Sequence, residues 1–357
     1  MAAEIPKRMR AARTYGFGDV RIDEVDVPRL QAGEALVRVR SCGICGTDAH
    51  ILKGAFKGTW PPHFPFTQGH EVAGEVVAVA EGVDMVKPGD RIVADDHRPC
   101  LTCRMCRTGR YVLCETAGQL KPGGHRLTGH DTDGGFAEYL NYPQYVLHKI
   151  PDTISFDESV IINTATTALN AINRARIMPG DTVLVVGPGL MGLCTLQLAL
   201  ASGSPRVIVT GRGDRLRMAK ELGSWETVDT TREDAVARVR ELTNGRGADV
   251  VIECAGSPEA MKSALGSVRR GGRVSLTGVN GNQEVPFVTD KIVLDEIDIY
   301  GVRSHPNTWE ATIALVAAGK LDAERLVTHR FPLEKFMEGL DIFVNRKEGC
   351  IRVVINP

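Results

Sequence analysis

Two groups of residues in this chain have types and spacing that could do chemistry. The first is Cys100-x2-Cys103-x2-Cys106-x7-Cys114, four thiols in one short segment. Four thiolates so placed make a closed tetrahedral shell, the pattern of a structural zinc site with no position left for a substrate. An iron–sulfur cluster is the rival, but the C-x3-C-P ending of the bacterial ferredoxin run is absent. Metal bound there would fold a lobe, placed at about residues 95–118. The second group is dispersed: Cys45 in Gly43-Ile-Cys-Gly-Thr-Asp48, and His70 in Gly69-His-Glu71. Thiolate and imidazole both suit zinc. A lone cysteine or histidine is more often a packing residue, and Cys42 is read that way although it forms a C-x-x-C with Cys45.

A third group concerns a phosphate-bearing ligand. Val183-Leu-Val-Val186 is a short apolar run rich in β-branched residues, as expected of a buried parallel strand. Gly187-Pro-Gly189-Leu-Met-Gly192 follows at once and leads into the helical, mostly apolar stretch 193–200. Strand, G-x-G-x-x-G and helix in that order form the dinucleotide-binding fingerprint, with a pyrophosphate expected at the helix start beside Gly187, Gly189, Leu190, Met191 and Gly192. An NAD site places an acidic residue at the end of the next strand, about 20 residues on, to hold the ribose 2′-hydroxyl. Here Arg206-Val-Ile-Val-Thr210 runs into Gly211-Arg212-Gly213-Asp214-Arg215. Glycine leaves room for a bulkier group, and the guanidinium groups of Arg212 and Arg215 match a phosphate. NADP(H) is therefore favoured over NAD(H), the alternative being that Asp214 takes the ribose.

These sites need elements to hold them. At 357 residues, about two domains are expected. Hydrophobic content of 43% and a net charge of −1 are ordinary globular values that give no electrostatic reason for a nucleic-acid or membrane partner. No run approaches the roughly 18 apolar residues of a membrane span, and the basic segment 1–13 lacks the apolar centre of a secretory signal. A cytoplasmic location is expected. The 9 cysteines then argue for metal or redox chemistry and not for a disulfide framework. Apolar, β-branched stretches at 36–40 and 72–79, punctuated by turns such as Lys87-Pro-Gly-Asp90, make the first part β-rich. From about 157 to 300 strands (183–186, 206–210, 249–253, 273–278) alternate with helices (190–202, 214–223, 232–243, 258–269), which means βαβ units and a parallel sheet. A helix near 308–318 and a strand at 351–355 close the chain.

These motifs carry a resemblance. Cys-Gly-Ile-Cys-Gly-Thr-Asp48, Gly-His-Glu71 with Gly74, Gly89-Asp-Arg91, the four-cysteine lobe, Gly134-Gly-Phe-Ala-Glu138 and the glycine turn together resemble the zinc-dependent medium-chain dehydrogenase/reductase family, in its alcohol, sorbitol and threonine dehydrogenase group. The resemblance implies an α/β protein: a Rossmann doubly wound parallel sheet (160–300) inserted in a β-rich GroES-like catalytic domain (1–159 and 301–357). It implies two zinc ions per chain, one catalytic and one structural. Cys45 and His70 would hold the catalytic zinc with Glu71 adjacent, Asp48 orienting His70, Thr47 touching the substrate oxygen and His50 passing the proton outward. Zinc would polarise that oxygen while a hydride moves between the substrate carbon and the nicotinamide. Val279 and Arg303 would lie along the cofactor, with His305 near its nicotinamide end. Family members are homodimers or homotetramers, often joined through the last strand of the cofactor sheet, here 295–300.

Departures accompany the likeness. The family's third catalytic ligand, a Cys or Glu just before the first helix of the cofactor domain, is Asn163 here, whose amide oxygen is a weak ligand. Ile51 stands where sorbitol dehydrogenases carry tyrosine, which weakens a polyol substrate. Phe56, Trp60 and Phe136 are pocket walls or core; His63, His97, His125, His130 and His329 are surface or structural; Cys194, Cys254 and Cys350 are buried small apolar groups. The expected function is zinc-dependent interconversion of an alcohol and an aldehyde or ketone. A zinc-independent reductase of conjugated C=C or iminium bonds on the same scaffold is the alternative. A non-catalytic NADPH- and zinc-binding protein is a third reading, against which Thr47, Asp48 and His50 beside Cys45 argue, since proton chemistry needs that group.

Overall fold

The computed structural model describes residues 5–55, 60–281 and 283–357; Phe56 lies outside them. The chain forms two compact units, Met1–Asn163 with Ala323–Pro357, and Thr164–Asp322. Residues 301–322 thus group with the second unit and not, as expected, with the first. Thr308 Oγ1 donates to the Thr166 carbonyl at 3.0 Å and Asn170 Nδ2 to that of Ser304 at 2.8 Å, tying this segment to the second unit's first helix.

The first unit is β-rich. Its largest sheet has 7 strands, running Leu147–Lys149, Arg91–Ala94, Glu71–Val79, Glu34–Gly43, Arg352–Asn356 and Val327–Pro332, with Tyr139–Pro143 also paired on Glu34–Gly43. The last strand of the chain thereby enters the sheet beside the first half: Val354 faces Gly43 and Ile355 faces Cys42. Alternate residues of these strands point into one core, where Val37, Val39, Val72, Val76, Ile92, Phe136, Tyr142, Val353 and Ile355 are buried. Phe136 is core, its ring 4.7 Å from that of Phe336. Ile51 is buried as well.

The second unit holds a 6-stranded, all-parallel sheet in the order Glu226–Asp229, Arg206–Gly211, Thr182–Val186, Ala248–Glu253, Val268–Leu276, Asp298–Gly301. Numbered along the chain this is 3-2-1-4-5-6, the Rossmann order, whose switch point lies at the first strand. Every residue of Thr182–Val186 is buried, as a central strand covered on both faces requires. The helix Leu190–Ala201 is buried from Gly192 through Ala199, which explains its apolar character all round.

Several boundaries differ from expectation. The fifth strand begins at Val268 rather than 273, and a register shift between Ala248 and Val250 accommodates the extra residues. The edge strand is Asp298–Gly301, because the helix Thr289–Leu294 and the left-handed Glu296 (φ 48°) occupy the stretch before it. Sequence reading passed over the longest helix, Phe156–Ala175. Its start carries a capping box: Ser155 Oγ accepts from the Glu158 N–H at 3.2 Å and Glu158 Oε2 from the Ser155 N–H at 2.8 Å. Asn163 therefore lies inside a helix, not ahead of one. Among the described residues, no helix is long and apolar enough to cross a membrane.

Candidate functional site

The four cysteines meet as their spacing predicts. Cys103 ends its extended approach as the N-cap of the turn Arg104–Arg107, and Tyr111–Leu113 brings Cys114 back over it. The sulfur atoms lie 3.4 Å apart for Cys103–Cys106 and Cys114–Cys100, and 3.9 Å for Cys100–Cys106 and Cys103–Cys114. Tetrahedral zinc with sulfur at about 2.3 Å requires sulfur–sulfur edges of about 3.8 Å. The donor set fits zinc. Cys100 Sγ accepts from Thr102 Oγ1 at 3.5 Å and from the Cys103 N–H at 3.4 Å, and these bonds hold its thiol down to about 5, so that the ligand is ready as thiolate. The lobe runs to residue 127, farther than expected, closed by the pairs His97–Leu127 and Arg98–Arg126. At its base His97 Nδ1 and His125 Nε2 lie 3.0 Å apart, and Asp95 accepts from Tyr111 Oη at 2.7 Å and from the His97 N–H at 2.8 Å.

Cys45, His70 and Glu71 are gathered from separate elements, and one donor atom of each lies within 4.8 Å of the others. Cys45 is the N-cap of the helix Gly46–Leu52; its N–H donates to Asp48 Oδ2 at 2.8 Å. The other Asp48 oxygen, Oδ1, stands 3.6 Å from His70 Nδ1, just beyond hydrogen-bond distance, and neither atom has a hydrogen-bond partner among the described residues. Both side chains are buried. Burial opposes a charged His70, yet the Asp48 carboxylate and the Cys45 sulfur outweigh it, and the imidazole pKa rises well above its usual value. Thiolate, imidazole and carboxylate oxygen are zinc donors, so this site also fits that metal.

Glu71 belongs to this group but is also engaged in an ion pair. Its Oε2 pairs with Arg352 at 2.7 Å, both side chains nearly inaccessible, and Arg352 also donates to the Ile44 carbonyl at 2.5 Å. Gly43 makes room for the carboxylate: a Cβ there would meet Glu71 Oε2 at 2.3 Å. Sequence reading missed Arg352, which lies hundreds of residues from Glu71 along the chain. Thr47 Oγ1 is 3.9 Å from Cys45 Sγ, and His50 is exposed at the end of the same helix. Asn163 Nδ2 donates to Asp96 Oδ1 at 3.4 Å, so the amide already faces a buried carboxylate that sequence reading passed over. His130 was expected to be surface or structural; its ring lies 4.6 Å from that of His70 and 4.9 Å from that of Trp60, with Nδ1 3.0 Å from the Thr128 carbonyl. Burial and the neighbouring His70 lower its pKa to about 4. His63 is exposed; His97 and His125 are buried beneath the lobe. Cys194 and Cys350 are buried as expected, whereas Cys254 is half-buried.

In the second unit the glycine turn is wedged. Gly187 has φ 104°, and a Cβ on it would meet Ala255 Cβ at 2.9 Å; a Cβ on Gly192 would meet the Gly187 carbonyl oxygen at 1.9 Å. The Ala255–Gly256 turn opposite is fixed by the buried Glu253, whose Oε1 accepts both N–H groups at 2.7 Å. This leaves the start of Leu190–Ala201 open to a pyrophosphate. A guanidinium nitrogen of Arg215 reaches to 3.9 Å from where a Gly189 Cβ would sit; Arg212 is exposed. Asp214 is exposed and faces Arg217 at 3.7 Å. The backbone of Val279 lies against Gly256, its side chain 88% exposed, and Arg303 is exposed.

A Rossmann sheet with a dinucleotide turn, and a β-rich unit with two zinc-competent ligand groups, define a nicotinamide-dependent, zinc-binding oxidoreductase. The family model described as an alcohol dehydrogenase GroES-like domain matches residues 31–152, and that described as a zinc-binding dehydrogenase matches 191–318. The chain is 34% identical to a sorbitol dehydrogenase of Bacillus subtilis (strain 168), over 100% of this chain and 99% of that protein. Among solved structures it is similar to a putative zinc-binding dehydrogenase from Sinorhizobium meliloti 1021 bound to NADP (TM-score 0.90, 32% identity, 99% and 100% covered). It is also similar to a protein from Escherichia coli CFT073 described as a short chain alcohol dehydrogenase and solved with NADH (TM-score 0.90, 28% identity, 99% and 100% covered). The chain belongs to the zinc-dependent medium-chain dehydrogenase family and is a nicotinamide-dependent oxidoreductase acting on CH–OH groups.

Proposed function

We propose that the chain interconverts an alcohol and an aldehyde or ketone with NADP(H), using two zinc ions per chain. Cys45 and His70 hold the catalytic zinc, Asp48 keeps the His70 ring turned toward it, and Cys100, Cys103, Cys106 and Cys114 hold the structural zinc. Bound zinc supplies Lewis-acid polarisation of the substrate oxygen, and the coenzyme carries the hydride. Thr47, on the same helical turn as Cys45, accepts the hydroxyl proton as it gives up its own, which the exposed His50 takes and passes to water. Asn163 lines the site and coordinates weakly at most, because a neutral amide oxygen is a weak zinc ligand; its Nδ2 donates to Asp96. Glu71, whose Oε2 is ion-paired with Arg352, is the adjacent carboxylate that can approach the metal. The observation that carries this reading is the convergence of Cys45, His70 and Glu71 with Asp48 behind the ring.

The preference for NADP(H) rests on the missing carboxylate at Gly211 and on Arg212 and Arg215; with similar structures solved with NADP and with NADH, the chain's own residues must decide it. We place Val279 and Arg303 along the coenzyme. A homodimer or tetramer built on the edge strand Asp298–Gly301 is supported by Val288, Val293 and Leu294 nearby, each more than 70% exposed. The test is initial rates over a panel of alcohols, polyols, aldehydes and ketones with each coenzyme. Turnover with NADPH or NADP, lost on chelation and restored by zinc, is expected; hydride delivery to a C=C bond that survives chelation would overturn the reading.

A further inference from the structure

Glycine at the end of the second strand invites a simple account: the side chain is missing so that a 2′-phosphate fits. The geometry says otherwise. A Cβ on Gly211 would fall 2.1 Å from Pro188 Cδ and 2.5 Å from Pro188 Cγ, distances that real Cβ atoms do not reach. The space is filled by the proline of the glycine turn, not left open for a ligand. Neither partner has freedom to yield. Pro188 is a rigid ring on a turn pinned from both sides, by Ala255 against Gly187 and by the Gly187 carbonyl against Gly192. Gly211 is pinned through its carbonyl oxygen, which accepts from the Thr230 N–H at 2.8 Å and from Thr230 Oγ1 at 3.1 Å, while the Thr210 carbonyl accepts from the Gly187 N–H at 2.9 Å. Gly211 is not in the left-handed region, so sterics with Pro188, and not backbone conformation, require glycine there.

We propose that Pro188 and Gly211 are a steric couple that sets coenzyme selectivity. With Pro188 in the turn, no carboxylate can stand where an NAD site needs one, and recognition of the adenosine ribose passes to Arg212 and Arg215. The couple rests on the NADP(H) reading above for the direction of the preference but not for its own existence. The acidic residue cannot be introduced alone, because its own Cβ collides before its carboxylate reaches any ligand. Pro188 touches the specificity position without carrying any group that reads the ribose, so it is a positioning residue.

The experiment is a double-mutant cycle on the full-length, zinc-loaded protein: wild type, P188A, G211D and P188A/G211D. Dissociation constants for NADPH and NADH are read by nicotinamide fluorescence, and melting temperatures are read alongside. G211D alone is expected to bind both coenzymes at least about tenfold more weakly and to melt lower. P188A/G211D is expected to recover the melting temperature and to bind NADH about tenfold or more tightly than G211D does. P188A alone is expected to keep the wild-type order of preference. If G211D by itself binds NADH as tightly as the double variant and melts with the wild type, the couple does not exist. If G211D cannot be purified, G211A and P188A/G211A replace it: a lower melting temperature in the first, restored in the second, supports the couple, and equal melting overturns it. A wild type that prefers NADH would sink the NADP(H) reading while leaving the coupling measurement intact.

Discussion

The two groups of candidate metal ligands in the first unit are built on opposite plans. In the lobe, four cysteine sulfurs from one short segment face one another at 3.4–3.9 Å, and nothing but sulfur and the N–H and hydroxyl donors around it is needed. At Cys45 and His70 the donors come from a helix start and a strand start, differ in kind, and depend on buried side chains behind them: Asp48 behind His70, Arg352 behind Glu71. On the proposed reading the closed cluster would help to make the fold, whereas the mixed one would be held by it. Metal should therefore be worth stability at the first and activity at the second.

That contrast is broken or sharpened by four changes. The largest effect is expected from Cys103→Ser. Structural zinc is worth about 10 kcal/mol or more to an isolated zinc-binding domain, so the variant should hold one zinc fewer and melt more than about 10 °C lower by calorimetry. Melting with the wild type would mean that the lobe does not need its metal. Cys45→Ala should do the reverse: turnover falls by about a thousandfold or more, as expected when an electrophilic group is lost, while the melting temperature moves by less than about 3 °C. A large loss of stability here would erase the distinction between the clusters.

Third comes Arg352→Met. The buried Glu71 carboxylate would then lose its ion pair, an expected loss of up to about 3–5 kcal/mol by urea unfolding. An unchanged midpoint would show that Glu71 finds another partner. The smallest effect belongs to Asp157, at the start of Phe156–Ala175, the helix that carries Asn163. Its carboxylate accepts from Ser41 Oγ at 2.5 Å, Asn356 Nδ2 at 2.9 Å and Arg330 Nε at 2.6 Å. Burial alone would raise its pKa, but these three partners outweigh burial and hold it below the usual 3.8. With the folded pKa depressed, the stabilisation is present above about pH 4 and is lost as the pH falls through the folded value. Asp157→Asn should cost about 1–2 kcal/mol at neutral pH and flatten the acid limb of the stability profile; an acid limb unchanged from wild type would assign it to other carboxylates.

What was legible in the sequence follows the same contrast. The lobe and the glycine turn are written in local spacing, and their residues meet as expected. Cys45 and His70 could be read because each sits in a motif of its own. What supports them could not: Arg352 reaches Glu71, His130 stacks near His70 and Asp96 meets Asn163 only through folding, with no local pattern to announce the pairing. Glycine 211 was visible, but the proline that fills its space was not, so the sequence suggested room where the structure has a proline ring. The capping box Ser155-x-x-Glu158 is a different case: it was a local signal, and it marks the start of the helix that sequence reading passed over.

Zinc content per chain, by mass spectrometry of protein purified without chelator, tests the central claim most directly. About two zinc ions are expected in the wild type and about one in Cys45→Ala, the remaining ion belonging to the lobe. About one ion in the wild type, unchanged in Cys45→Ala, would contradict it: the cluster at Cys45 and His70 would then hold no metal.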